Sequence, residues 1–292
     1  MRNFFRYSNY RRDMTTSTSP SAVPNVDPRD RYLMHADARL RYRDEGHGPA
    51  VILLHGWTLD LEMWEPQVAA LEGAFRLVRF DRRGHGLSSG HPDTRRDTAD
   101  LAALLRHLDL SRVSLIGMSQ GARAALGFAS AAPTQVSALI LDGPPAMETA
   151  DSDDIPLGEF RRLAQTQGIE AFRRQWGRTP LMQLRTPDTR ARELLAAMIQ
   201  RYPGTDLLYP DTSGSVAAPA VHLQSVIAPA LIVLGEYDLP SRAQAARVLC
   251  TRLPLCERAV IADAGHLPNL DKPDVYNNLC RAFLARHGSP RA

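Results

Sequence analysis

Residues 113–131 read Val-Ser-Leu-Ile-Gly-Met-Ser-Gln-Gly-Ala-Arg-Ala-Ala-Leu-Gly-Phe-Ala-Ser-Ala. The first four residues suit a short buried strand, and the alanine-rich run from Gly121 suits a helix. Between them lies Gly117-Met118-Ser119-Gln120-Gly121, a serine with glycine two residues before and two after. A chain that goes from strand to helix in so few residues turns sharply. The positions on either side of the apex then crowd one another, and glycine, lacking a Cβ, fits both. Such a turn lifts the Ser119 hydroxyl above the end of a sheet. It also aims the Gln120 N–H into the same space at a helix N-terminus. At this chain's glycine and serine content the five-residue pattern arises by chance roughly 0.07 times. Ser119 is therefore a candidate nucleophile, where a lone turn serine would not be.

Outward from this turn, strand and helix patterns alternate. Residues 40–44 alternate apolar and polar ahead of a Gly-rich turn, as in an outer strand. Residues 50–54 are a continuous apolar run of the kind buried on both faces, 136–141, 230–234 and 259–262 read as further short strands, and 75–80 is strand-like. Helical spacing occupies 61–71, 97–108, 242–249 and 275–286. This order predicts an α/β protein with a parallel sheet between helical layers. The alternation stops between Gly143 and Ala228. There 160–163, 169–176 and 191–199 read as helices, so 147–220 is expected to be a helical cap inserted into a core of 31–146 and 221–288.

Three further pieces follow predicted strands. Leu54-His55-Gly56-Trp57 ends the most apolar one. Hydrolysis of a carbonyl passes through an oxyanion, and losing one of its N–H donors costs about 3 kcal/mol. The Trp57 N–H after His-Gly is a candidate donor beside that of Gln120, although Gly56 also reads as a plain turn residue. Ala264-Gly265-His266 places an imidazole where it can take a serine proton and return it to a leaving group. Gly235-Glu236-Tyr237-Asp238 offers a carboxylate to orient that imidazole, 28 residues earlier, with room for one helix and one strand between. Asp142, at the end of the 136–141 strand, is the alternative acid, and Glu236 is a third.

Composition narrows the classes. The chain has 292 residues, 44% of them hydrophobic, enough for one large or two small domains. No apolar run approaches the ~20 residues of a membrane-spanning helix. The net charge of +3 sits entirely in the first 13 residues, and the remainder balances, so no footprint for nucleic acid is present. Residues 1–30, Arg-rich and then Ser/Thr/Pro-rich, read as a loosely attached tail without the apolar segment of a secretory signal. Cys250, Cys256 and Cys280 form no CxxC motif; the first two are close enough in sequence to pair. The reading adopted is reduced thiols in a cytoplasmic protein. No His-x-x-x-His pair and no Gly-rich phosphate loop after a strand occurs, so no metal or nucleotide cofactor is expected.

Together these residues resemble the α/β-hydrolase family, whose catalytic residues come in the order Ser119, Asp238, His266. Residues 80–88, Phe-Asp-Arg-Arg-Gly-His-Gly-Leu-Ser, also look like the family's Asp-x-Arg-Gly-His-Gly-x-Ser loop. There Asp81 and Arg83 would brace loops, Gly84 and Gly86 would turn the chain, and His85 would not be the base. The resemblance spans about residues 31–288 and implies a mostly parallel eight-stranded sheet. Within the family the chain is similar to 3-oxoadipate enol-lactonases and small carboxylesterases, and His55-Gly56-Trp57 to pimeloyl-carrier methyl esterases. Ala122 stands where a second glycine is frequent. The resemblance implies a cofactor-independent serine hydrolase of a small ester or lactone acting through an acyl-enzyme. Phe160, Trp176 and Met182 are candidate pocket residues under the cap, although packing within the cap's own core is the reading preferred for each. A carbon–carbon bond hydrolase of the same fold, and a non-catalytic ligand-binding protein, are the alternatives.

Overall fold

The computed structural model describes residues 27–147, 155–209 and 221–288. Eight strands form one sheet: β1 Arg31–His35, β2 Ala38–Glu45, β3 Ala50–Leu54, β4 Arg76–Phe80, β5 Val113–Met118, β6 Val136–Asp142, β7 Ala230–Gly235 and β8 Cys256–Ile261. Their spatial order is β1-β2-β4-β3-β5-β6-β7-β8. The first hairpin is antiparallel, β2 runs antiparallel to β4, and all pairs from β4 to β8 are parallel.

The helices are α1 Glu65–Leu71, α2 Asp97–His107, α3 Gln120–Ala131, α4 Leu157–Gln167, α5 Ile169–Trp176, α6 Thr189–Arg201, α7 Thr205–Leu208, α8 Pro240–Arg252, α9 Pro268–Asp271 and α10 Pro273–His287. Successive strand residues point to opposite faces, which explains the unbroken apolar runs. Val51, Leu53, Ile140 and Val233 pack with α1 and α10. Ile52, Leu54, Leu139 and Ile232 pack with α2, α3 and α8. Proline opens both α8 and α10, where its missing N–H has no helical partner to lose.

Helices α4 to α7 interrupt the alternation as the sequence indicates, and they join the α1/α10 core through Phe172, Trp176, Met198 and Tyr202. Residues 148–154 and 210–220 of the expected cap, and 1–26 of the expected tail, lie outside the described residues. The last residues of that tail are not loose. Asp30 is buried against Arg41 at 2.9 Å and Arg43 at 2.7 Å, and Asp27 meets Arg43 at 3.0 Å. The cysteine reading also needs correction. Cys250, at the end of α8, and Cys256, opening β8, are joined in a disulfide, while Cys280 is free and buried. The short turn between α8 and β8 brings the two Cα atoms to 5.3 Å, within disulfide range. Among the described residues no helix is long and apolar enough to cross a membrane.

Candidate active site

Strand β5 ends at Met118 and α3 begins at Gln120, so Ser119 alone makes the turn. Its backbone sits at φ 52°, ψ −113°, a conformation a side-chain-bearing residue seldom adopts, at a cost of about 1–3 kcal/mol. Both flanking glycines are required by close approach. A Cβ on Gly117 would lie 2.3 Å from the Gly121 carbonyl oxygen, and one on Gly121 would lie 2.1 Å from that of Leu54. The Ser119 N–H donates to the Asp142 carbonyl at 2.8 Å, which anchors the turn to β6.

Asp238 and His266 leave neighbouring strands. The loop after β7 is laced to the end of β8 by Glu236 N–H to Ile261 O and Tyr237 N–H to Ala264 O, both 2.9 Å. This brings the Asp238 carboxylate to His266 Nδ1, at 2.9 Å from Oδ1 and 3.0 Å from Oδ2. Both side chains are buried. A carboxylate oxygen accepts, so in this pairing Nδ1 donates to Asp238 and Nε2 is the ring nitrogen left to accept. Ser119 and His266 line one apolar cavity with Trp57, Leu59, Trp176 and Met182. They are not hydrogen-bonded to one another in this state. The cavity measures about 10 Å³, room for about one water molecule.

Ser119, Asp238 and His266 converge at the C-terminal edge of the sheet. Trp57 follows β3, and a Cβ on its neighbour Gly56 would lie 3.5 Å from Ser119 Cβ, so this loop flanks the serine. The Trp57 N–H makes no hydrogen bond among the described residues, and the Gln120 N–H belongs to the first turn of α3, without an intrahelical partner. Asp142 is not the partner of His266. Its carboxyl is fully buried beside Tyr276 and Cys280, and burial, with the charge on Asp238, holds it well above the usual carboxylate range. Glu236 accepts the Asp263 N–H at 2.9 Å, a loop brace. Trp176 and Met182 reach the cavity, but Phe160 does not: it packs behind, edge-on to Phe172 and Trp176.

The loop after β4 is a set of braces. Asp81 accepts the N–H groups of Leu61 at 2.8 Å and Leu87 at 2.7 Å, and Arg83 grips Asp100 and Asp37. His85 is buried, with its ring tilted against those of His55 and Tyr202. His55 donates from Nδ1 to the Gly56 carbonyl at 2.7 Å and accepts the Arg82 N–H on Nε2 at 2.8 Å.

Two carboxylates without any motif also hold the site. Asp271 accepts the Gly265 N–H at 2.7 Å on one oxygen and the N–H groups of Arg185 and Thr186, at 2.6 and 3.0 Å, on the other. It ties the His266 loop to the chain between α5 and α6. Asp206, in α7, accepts from the Trp57 indole at 2.9 Å and from the Tyr202 hydroxyl. The only sequence signal at Asp271 is its place two residues before the proline that opens α10, and none marks Asp206.

A family model for the alpha/beta hydrolase fold matches residues 49–273. A Bacillus subtilis (strain 168) protein named for 2-succinyl-6-hydroxy-2,4-cyclohexadiene-1-carboxylate synthase activity is 29% identical over 84% of this chain and 95% of its own length. The 3-oxoadipate enol-lactonase 2 of Acinetobacter baylyi is 24% identical over 87% of this chain and 96% of that protein. Among solved structures, a thermophilic esterase from Thermogutta terrifontis superposes with a TM-score of 0.74 at 26% identity, covering 88% of this chain and 98% of that one. The sheet order and the strand-to-helix turn agree with a match over most of the length, and the chain belongs to the alpha/beta hydrolase fold family.

Proposed function

We propose that this chain is a cofactor-independent serine hydrolase of a small carboxylic ester or lactone. Ser119 Oγ attacks the carbonyl carbon while His266 Nε2 takes the hydroxyl proton. Asp238 keeps the imidazole in the Nδ1-protonated form and stabilises the imidazolium. The N–H groups of Trp57 and Gln120 hold the oxyanion. The tetrahedral intermediate collapses, and His266 gives the proton to the departing alkoxide, leaving an acyl ester on Ser119. Water, deprotonated by His266, then attacks that ester and releases the acid, and the proton returns to Ser119. Residues 147–220 act as a cap whose Trp176 and Met182 shape the acyl site.

The observation that carries this reading is the 2.9 Å contact between Asp238 and His266 on a cavity that Ser119 shares. Relatives named for lactone and carboxylic ester hydrolysis support the choice of bond. The test is a panel of p-nitrophenyl esters and lactones of graded chain length. Wild type should turn over at least one class, and Ser119→Ala or His266→Ala should lower kcat by several orders of magnitude, up to ~10⁶. Equal rates for wild type and Ser119→Ala would remove the nucleophile assignment.

A further inference from the structure

The described part of the helical segment, residues 155–209, holds nine arginines against five carboxylates. Its outer face carries a cleft of about 350 Å³ between α5 and α6, rimmed by Arg173, Arg174, Arg178 and Arg192. The floor is apolar, made by Met182, Leu195 and Ile199. A second cleft, of about 500 Å³, shares Arg178 with the first and runs past Arg185 and Tyr237 to Gly265, the residue before His266. No aspartate or glutamate lines either cleft among the described residues.

The arginines differ in how they are engaged. Arg173 is held by Glu170 and the Tyr202 carbonyl, and Arg192 donates to the Thr186 carbonyl at 2.8 Å. Arg185 meets Asp263 at 3.2 Å and stacks on the Tyr237 ring at 3.6 Å. Arg174 and Arg178 are exposed and have no side-chain partner among the described residues. Among the described residues, Met182 is the one side chain common to the Ser119 cavity and the arginine-rimmed cleft. The Ser119 cavity is too small for any ester as it stands, so substrate binding requires its wall to move. Methionine, unbranched and adaptable, is suited to that movement.

The geometry points to a subsite for the anionic end of the substrate in this cleft, joined to Ser119 when the Met182 side chain swings aside. A planar guanidinium pairs bidentately with carboxylate or phosphate oxygens, and the apolar floor accepts the methylene chain between that group and the scissile bond. The preferred substrate is then an ester or lactone that carries a second, anionic group. This rests on the reading of Ser119 as nucleophile, and its test has one readout that does not need turnover.

Adipate and hexyl phosphate are titrated into Ser119→Ala protein by calorimetry, alongside the neutral hexanol. Binding of an anion and not of hexanol, lost at least tenfold in Ser119→Ala/Arg174→Ala/Arg178→Ala, is the expected result. Tighter adipate marks a carboxylate and tighter hexyl phosphate a phosphate. No anion binding, or binding untouched by the two arginine changes, overturns the subsite whatever the enzyme hydrolyses. In parallel, KM for monomethyl adipate should lie at least tenfold below that for methyl hexanoate. Arg174→Ala/Arg178→Ala should remove that preference and leave kcat/KM for methyl hexanoate within about twofold. Failure of every ester together with intact, arginine-dependent anion binding would reject the hydrolase reading and keep the subsite.

Discussion

The Trp57 indole N–H donates to the Asp206 carboxylate at 2.9 Å, across 149 residues of chain. The bond ties the loop after β3 to α7. The Trp176 indole adds a second tie, to Thr58 Oγ1 at 2.7 Å, and Arg201 adds a third, to Asp60 at 2.8 Å. Thr58 itself sits at φ 64°, so this loop is held in a conformation it would not choose alone. Helices α5 to α7 therefore fix the position of the Trp57 backbone N–H. Asp206→Ala should lower kcat by about ten- to a hundredfold, the scale of a displacement near 1 Å at a reacting centre. Asp206→Asn keeps an acceptor and should recover most of it. Steady-state kinetics with a melting curve for each variant separate this from loss of fold. A change confined to KM, or equal damage by Asn and Ala, would count against it.

The two buried aspartates near His266 should behave oppositely on substitution. Asp238→Asn removes the acceptor that sets the imidazole tautomer and should cost about 10⁴ in kcat. Burial raises the Asp142 carboxyl well above the usual carboxylate range and so favours its neutral form, and the neutral Asp142→Asn should keep most of the activity. The same substitution should alter stability. A carboxyl with a raised folded pKa binds its proton in the native state where the unfolded chain has lost it, so its contribution fades as pH rises above ~4. Asp142→Asn should flatten that decline, which unfolding in urea at pH 5 and pH 8 measures.

His55 and His85 are buried, and desolvation with the nearby Arg82 charge lowers both, His85 to about 4. The unfolded chain takes up these protons near ~6.5, so each histidine contributes stability that is complete above that pH and lost on acidification towards 4. Replacing His85 with Gln should remove one such proton. Wild type should then lose about 1.4 kcal/mol per pH unit relative to the variant between pH 6 and 4.5. Ring-proton NMR offers a direct check: at least two of the nine histidines should show no titration between pH 5 and 8.

Much of this architecture is legible in residue order because it rests on local rules. A buried strand, two glycines at fixed spacing and an alanine-rich helix suffice to place Ser119. Asp238 follows a strand that reads as an unbroken apolar run, and His266 follows the short run 259–262 that ends β8. What escapes the sequence depends on distant partners. Strand β1 is an edge strand with exposed and half-exposed residues, so it carries no apolar run. Helix α7 has four residues, and Asp206 acquires meaning only beside Trp57. For Phe160, helical spacing shows that its face is buried, not whether a cavity or another ring covers it, and Phe172 and Trp176 cover it. The arginines of the α5/α6 cleft are ordinary surface residues until α5 and α6 face one another.

Gly121 gives a packing prediction. The nearest atom to a Cβ there is a backbone oxygen, which cannot swing away as a side chain can. Gly121→Ala should force α3 away from β3 and cost about 3 kcal/mol or more. Gly73 has open space around a Cβ, and Gly73→Ala should be far milder. Urea midpoints for the pair decide this, and equal midpoints would refute the crowding argument.

Whether Ser119 is a nucleophile activated by His266 is read from a fluorophosphonate probe followed by peptide mass spectrometry. One adduct is expected, on Ser119, formed by wild type and absent from Ser119→Ala and His266→Ala proteins that remain folded. An adduct on another residue, or labelling of Ser119 at the same rate without His266, would contradict that role.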